Sequence, residues 1–225
     1  MANNRTATLI DLSHTIEAGM TTFKGFPGPV LCDYWTREAS AAHYDDGSSF
    51  HIGRIDMIAN TGTYVDSPFH RYADGADLSD LSLEALADLE AVVVRMPHEQ
   101  GLATDAADIE GLEVAGKAVL VHTGWDRHWR TDAYFDDHPF LTAAAAEWLV
   151  GQGAAFVGID SHNIDDTRTR SRPVHSKLLG ANIPIGEHLT NLSAVPDTGF
   201  RFSAVPPKVK GMGTFPVRAY ARLAG

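Results

Sequence analysis

Ala118-Val-Leu-Val121 and Ala154-Ala-Phe-Val-Gly-Ile-Asp160 are short apolar runs; between them Thr142 precedes an alanine-rich stretch, residues 143–150, that Gly151 and Gly153 close. Runs of this length read as buried strands. Thr142 offers an N-cap oxygen, and glycine just past the last apolar residue stops a helix. Strand, helix, strand is a βαβ unit, whose crossover implies parallel pairing. Gly151-Gln-Gly153 is not a dinucleotide fingerprint, because it closes a helix and opens a strand, the reverse of the required order.

Outside this unit the same alternation continues. Residues 8–12 and 91–94 read as strands, and residues 50–59 as a strand leading straight into Asn60. Leucines at 83, 86 and 89 have helical spacing behind Ser79 and Ser82, which predicts a helix over 81–89. Thr104 is the expected N-cap of a short helix carrying Asp105 and Asp108 in its first turn. Gly25-Phe-Pro-Gly-Pro29 is a loop. With no repeat and no low-complexity linker, 225 residues are expected to form one α/β domain with a mixed sheet, spanning 1–225.

Composition narrows the function. Lys and Arg number 18 against 29 Asp and Glu, a formal charge of −11, and nucleic acid or an anionic membrane calls for the opposite sign. No apolar run approaches the length of a membrane span, and the first ten residues lack the apolar core of a signal peptide. Cys32 is the single cysteine, so an internal disulfide is excluded and a reducing cytoplasm is the expected compartment.

Two stretches carry candidate chemistry. In Asn60-Thr-Gly-Thr-Tyr-Val-Asp-Ser-Pro-Phe-His70 a glycine turn leads to an acid at 66 and a histidine at 70, with Pro68 fixing one backbone angle between them. Such a loop aims both groups at a common point, although a solvated aspartate and a structural histidine are the alternative. In residues 172–192, His175 and Glu187 lie 12 apart beside Pro and Gly. Imidazole and carboxylate suit zinc or manganese. Phe23, Phe26, Trp35, Tyr44 and Phe50 fall in or near N-terminal loops where they shape an apolar pocket, or simply pack or make a subunit contact, and Arg168, Arg170 and Arg172 form a local basic run that attracts a carboxylate substrate or is a solvated loop.

The first stretch resembles the signature His-x-Gly-Thr-His-x-Asp-x-Pro-x-His of the cyclase family of metal-dependent hydrolases, which includes bacterial kynurenine formamidase and isatin hydrolase. The resemblance extends in order through Asp11-Leu-Ser-His14, the Thr-Gly-Trp ending at 125, Gly158-Ile-Asp160, Pro173-Val-His175, Glu187 and Pro216-Val-Arg218. It implies the swivelling β/β/α fold and hydrolysis of an amide, formamide, lactam or lactone carbonyl. It also implies one divalent metal on the signature's first two histidines and aspartate, a second on that aspartate with the later histidine and glutamate, and proton transfer by the last signature histidine.

Here the first two histidines are Asn60 and Tyr64, which removes two nitrogen donors from the first metal position. What remains maps one divalent ion, zinc or manganese, onto Asp66, His175 and Glu187, with His70 as general acid and base. Without a metal, Asp66 would orient His70 and Tyr64 would donate to a developing oxyanion; Asn60, His122 and His162 are the expected substrate-contacting residues. A metal-free lyase, isomerase or cyclisation catalyst on the same scaffold, or a non-catalytic binding protein, are the alternatives. The resemblance further implies a homodimer or larger homo-oligomer acting on a small molecule.

Overall fold

Valine-rich runs form the middle of a nine-stranded sheet because both of their faces are covered. The computed structural model describes residues 7–223; residues 1–6, part of the stretch read for a leader, lie outside them. In chain order the elements are β1 (Thr8–Asp11), β2 (Val30–Trp35), α1 (Arg37–Ala41), β3 (Ile52–Asp56), β4 (Tyr64–Asp66), β5 (Leu89–Arg95), β6 (Ala103–Thr104), α2 (Ala106–Ile109), β7 (Ala118–His122), β8 (Phe140–Leu141), α3 (Ala143–Gly151), β9 (Phe156–Ile159), α4 (Pro173–Gly180), β10 (Ile185–Glu187), β11 (Phe200–Ser203), β12 (Thr214–Pro216) and β13 (Tyr220–Leu223). The large sheet runs β1-β13-β11-β5-β7-β9-β10-β4-β12.

The βαβ expectation holds. β7 and β9 pair in parallel from Ala118 opposite Phe156 to Val121 opposite Ile159, and the Thr142 hydroxyl caps α3 by accepting from the Ala145 N–H. Strand alternation then divides the core. Val92, Val94, Val119, Val121, Val157 and Ile159 pack with Ala145, Leu149 and Leu178 of α3 and α4. Ala91, Val93, Leu120 and Phe156 pack on the other face with Leu189, Phe200 and Phe202.

Three local expectations are corrected. Residues 81–89 form only a single 3₁₀ turn, Leu83–Ala85, because Asp88 adopts a left-handed φ of 52° and Leu89 already opens β5. The N-cap of α2 is Asp105, not Thr104: its side chain accepts from the Ala106 N–H while Asp108 accepts from the Asp105 N–H. Residues 50–59 do not run straight into Asn60; only Ile52–Asp56 is extended, and it pairs with β2 as a separate two-stranded ribbon.

Candidate active site

Sheet register builds the site. β4 lies between β10 and the edge strand β12, antiparallel to both, with Tyr64 opposite Glu187 and Asp66 opposite Thr214. Directly opposed residues share a face and sit within contact range. Val65, pointing the other way, belongs to the core. Side-chain bonds follow the register: the Tyr64 hydroxyl donates to Glu187 Oε2, and the Thr214 hydroxyl donates to Asp66 Oδ1.

His70 ends the 3₁₀ turn Pro68–His70 that leaves β4. Its Nδ1 lies 3.0 Å from Thr214 Oγ1. Thr214 has one proton, and Asp66 receives it, so at this contact His70 Nδ1–H donates to the threonine oxygen. In the neutral ring the lone pair then lies on the opposite nitrogen, Nε2.

His175 is delivered by the first turn of α4, which Pro173 begins. Asp165 holds it there, accepting the N–H of Val174 at 2.8 Å, the N–H of His175 at 3.0 Å and His175 Nδ1–H at 2.6 Å. Nε2 therefore points the other way, 3.6 Å from both Asp66 Oδ2 and Glu187 Oε1. Asp66 Oδ2 is buried and has no hydrogen-bond partner among the described residues. Glu187 Oε1 accepts the Ile164 N–H. Burial alone lowers the affinity of His175 for a proton, but Glu187, Asp165 and Asp66 outweigh it and hold its pKa up at about 10. Burial pushes Glu187 up to about 7, against the pull of His175.

His175 Nε2 and two carboxylate oxygens thus meet at a buried point, and positive charge there, a proton on the imidazole or a cation in its place, reconciles the arrangement. That is the donor set a divalent cation takes, and the orphaned Asp66 oxygen fits one. Asp66, His70 and His175 each bring a ligand atom within 4.8 Å of the others. This set has His70 where the sequence places Glu187, which stands beside it with both oxygens already hydrogen-bonded.

A cavity of about 320 Å³ opens over these groups, lined among others by Phe23, Phe26, Asn60, Tyr64, His70, Asn163, His175 and Glu187. Asn60 stands where the sequence reading puts it. Tyr64 does too, but its only proton is engaged by Glu187, so it positions that carboxylate and is not a free donor to an oxyanion. His122 is not among the lining residues: β9 and β10 separate its strand from β4, and its Nδ1 accepts from Arg95. His162 is buried and packs against Phe23, 4.9 Å between ring centres, with the ring of Tyr134 also against it. His51 is bonded to Asp33 in the ribbon.

Asp165, Thr214, Asn163 and Arg71 were not singled out from the sequence. For Asp165 one signal existed: a ligating histidine ordinarily donates its second N–H to a carboxylate, which directs a search for an acid near His175. Thr214 carries no local mark.

A family model described as "Putative cyclase" matches residues 10–166. The chain belongs to the cyclase family. This cyclase-family hydrolase is 28% identical over 219 residues to the kynurenine formamidase of Geobacillus thermodenitrificans, covering 96% of this chain and 98% of that protein. A solved structure of a potential metal-dependent hydrolase with cyclase activity superposes with a TM-score of 0.79 at 25% identity, covering 97% of this chain and 99% of that one. Isatin hydrolase A from Labrenzia aggregata, solved with benzyl benzoate, gives a TM-score of 0.82 at 20% identity, covering 97% and 94%, and shares the fold. Among the described residues no helix is long and apolar enough to cross a membrane.

Proposed function

We propose that this chain hydrolyses an amide or formamide bond of a small aromatic substrate, with one divalent cation, zinc or manganese, held by Asp66, His175 and Glu187. The observation that carries the reading is the convergence of His175 Nε2, Glu187 Oε1 and the unpartnered Asp66 Oδ2 beneath an aromatic-walled cavity. The kynurenine formamidase and metal-dependent hydrolase relatives support it. A cation held there supplies Lewis acidity, polarising a carbonyl and lowering the pKa of a water toward 7.

The protein's own groups do the rest. Phe23 and Phe26 take the aromatic body. Asn60 and Asn163 line the cavity and carry amide N–H donors for the carbonyl oxygen. His70, with Nδ1–H held by Thr214, takes a proton on Nε2 from the attacking water and returns it to the departing amine nitrogen. Asp165 keeps His175 in one tautomer and one orientation.

The test uses protein purified without chelator. We expect about one equivalent of zinc or manganese per chain, and loss of N-formylaniline turnover in EDTA that either ion restores. Less than about 0.1 equivalent, with turnover indifferent to EDTA, overturns the metal assignment and favours the metal-free lyase, isomerase or cyclisation reading. No turnover at all, with the cation present, favours a binding protein.

The reading extends to setting. One domain spans 1–225 and works in the cytoplasm, where the exposed thiol of Cys32 stays reduced. The chain forms a homodimer through the β2–β3 ribbon, which leaves Val30, Leu31, Tyr34, Ile52 and Ile55 exposed. Sedimentation equilibrium decides: Ile55→Asp is expected to shift a wild-type dimer to monomer, and a monomeric wild type ends that proposal.

A further inference from the structure

Residues 19–29 leave the body of the domain and return to it through one narrow neck. The Gly19 N–H donates to the Pro29 carbonyl at 2.8 Å. A Cβ on Gly28 would stand 2.6 Å from the Met20 carbonyl oxygen, so the two legs of the loop cross in a backbone contact that only glycine permits. Met20 and Pro29 are buried and anchor the crossing. A closed excursion of this kind is an Ω-loop.

Beyond the neck the attachment changes in kind. Among the described residues, residues 21–27 make no backbone hydrogen bond to the rest of the chain; their one backbone bond is internal, from the Phe26 N–H to the Phe23 carbonyl. Their one hydrogen bond outward, again among the described residues, runs from Lys24 Nζ to Asp136 Oδ1 at 2.8 Å, and the same ammonium lies 5.5 Å from the centre of the Phe135 ring. Asp136 stands on fixed ground, because Tyr134 is wholly buried and its carbonyl accepts Trp125 Nε1–H at 3.0 Å. Phe23 rests against His162 and stacks on Phe26, whose ring stays 52% exposed. A segment tied by side chains and not by its backbone opens locally, without disturbing the sheet.

What the segment carries makes its opening matter, since Phe23 and Phe26 are the aromatic wall of the cavity. We propose that residues 21–27 are a gate over this cavity, latched by the Lys24–Asp136 pair, and that the gate closes on an aromatic guest that covers the half-exposed Phe26. The two latch side chains are 51% and 66% exposed, and an ion pair so exposed biases closure by about fivefold at most. The latch is therefore weak enough to release each time a guest enters or leaves. Glu17 and Arg130 form a second pair, but Glu17 precedes the neck, so that pair does not hold the tip. The inference concerns access alone and goes beyond the hydrolase reading, because it needs no particular bond to be cleaved below.

Fluorine NMR line shapes of 4-fluorobenzamide, titrated with the full chain, give its association and dissociation rates. A gate sets one barrier for entry and exit, so Lys24→Glu and Asp136→Lys are each expected to raise both rates at least about threefold while Kd holds within about twofold. Combining the two substitutions rebuilds the pair with its signs exchanged, and is expected to return both rates to within about twofold of wild type. Salt at about 0.5 M raises both rates in wild type and adds nothing in Lys24→Gln. Arg130→Gln leaves both rates within about twofold of wild type. Backbone amides of residues 21–27 exchange faster in the two single variants and slower with 4-fluorobenzamide bound, while those of Ala118–His122 in β7 change in neither case. Absence of 4-fluorobenzamide binding, rates indifferent to both single variants, or a double variant no closer to wild type than the single ones overturns the gate. Turnover is not read, so the outcome is separate from that of the N-formylaniline and EDTA test.

Discussion

Asp66 and Asp160 are both wholly buried aspartates at the carboxyl ends of strands of the same sheet, yet they are held differently. Asp160 accepts the N–H and hydroxyl of Thr123 and the N–H of Gly124, so both its oxygens are satisfied by the turn after β7. Asp66 accepts one hydroxyl, and its second oxygen faces His175 with no donor. Identical burial therefore conceals opposite roles. A satisfied carboxylate ties two segments together; one with a free oxygen is suited, on the proposed reading, to holding a cation.

Exchanging the two side chains' chemistry separates those roles. Asp66→Asn is expected to abolish cation binding and to lower turnover by on the order of 10³-fold or more, while the fold persists. Asp160→Asn is expected to keep the cation and to lose about 1–3 kcal/mol of stability in urea titration, as its donors lose an ionised acceptor. If both variants lose metal equally, as read by elemental analysis, the distinction between the two carboxylates fails.

Thr214 gives a smaller effect. Thr214→Val removes the hydroxyl that satisfies Asp66 Oδ1 and fixes the His70 tautomer, and kcat is expected to fall 10- to 100-fold, roughly. Thr214→Ser restores most of it. Nitrogen chemical shifts of the His70 ring report the tautomer directly; an unchanged Nδ1–H population in Thr214→Val counts against the relay.

Acid stability gives the smallest effect and probes the fold apart from the centre. Burial lowers His14 to about 4 and His162 to about 3. The unfolded chain takes these protons near 6.5 and the native state does not, so the unfolded state binds more protons between those values and stability falls as pH drops below 6.5. The expected slope is about 1.4 kcal/mol per pH unit for each histidine. Burial raises Asp160 and Glu187 to about 7, and these oppose the histidines in the same window, so urea midpoints from pH 7.5 to 4.5 are compared between wild type and His162→Gln. An equal slope in the two refutes a buried neutral His162.

How far the sequence was legible follows the distance between partners. The run at 118–121 and the run at 154–160 show the parallel centre because each is apolar throughout and the helix between them is capped at both ends. The leucines at 83, 86 and 89 mislead, since their spacing is helical but Leu83 is exposed and Leu89 belongs to a strand. Asp66, His70, His175 and Glu187 do meet, as one motif and a later pair suggested. Thr214 could not be placed from sequence, because its meaning lies in a strand register with residue 66, and His122 was misplaced because strand order is not written in chain order.

Edge strand β12 carries a consequence of its own. Its hydroxyl completes Asp66 from 148 residues further along the polypeptide. During translation the first carboxylate must wait, open and uncompensated, through most of the ribosome's passage. Sheet register alone holds the two ends of this bond together, and because β12 pairs only with β4, fraying of that one edge strand is enough to release Asp66 Oδ1.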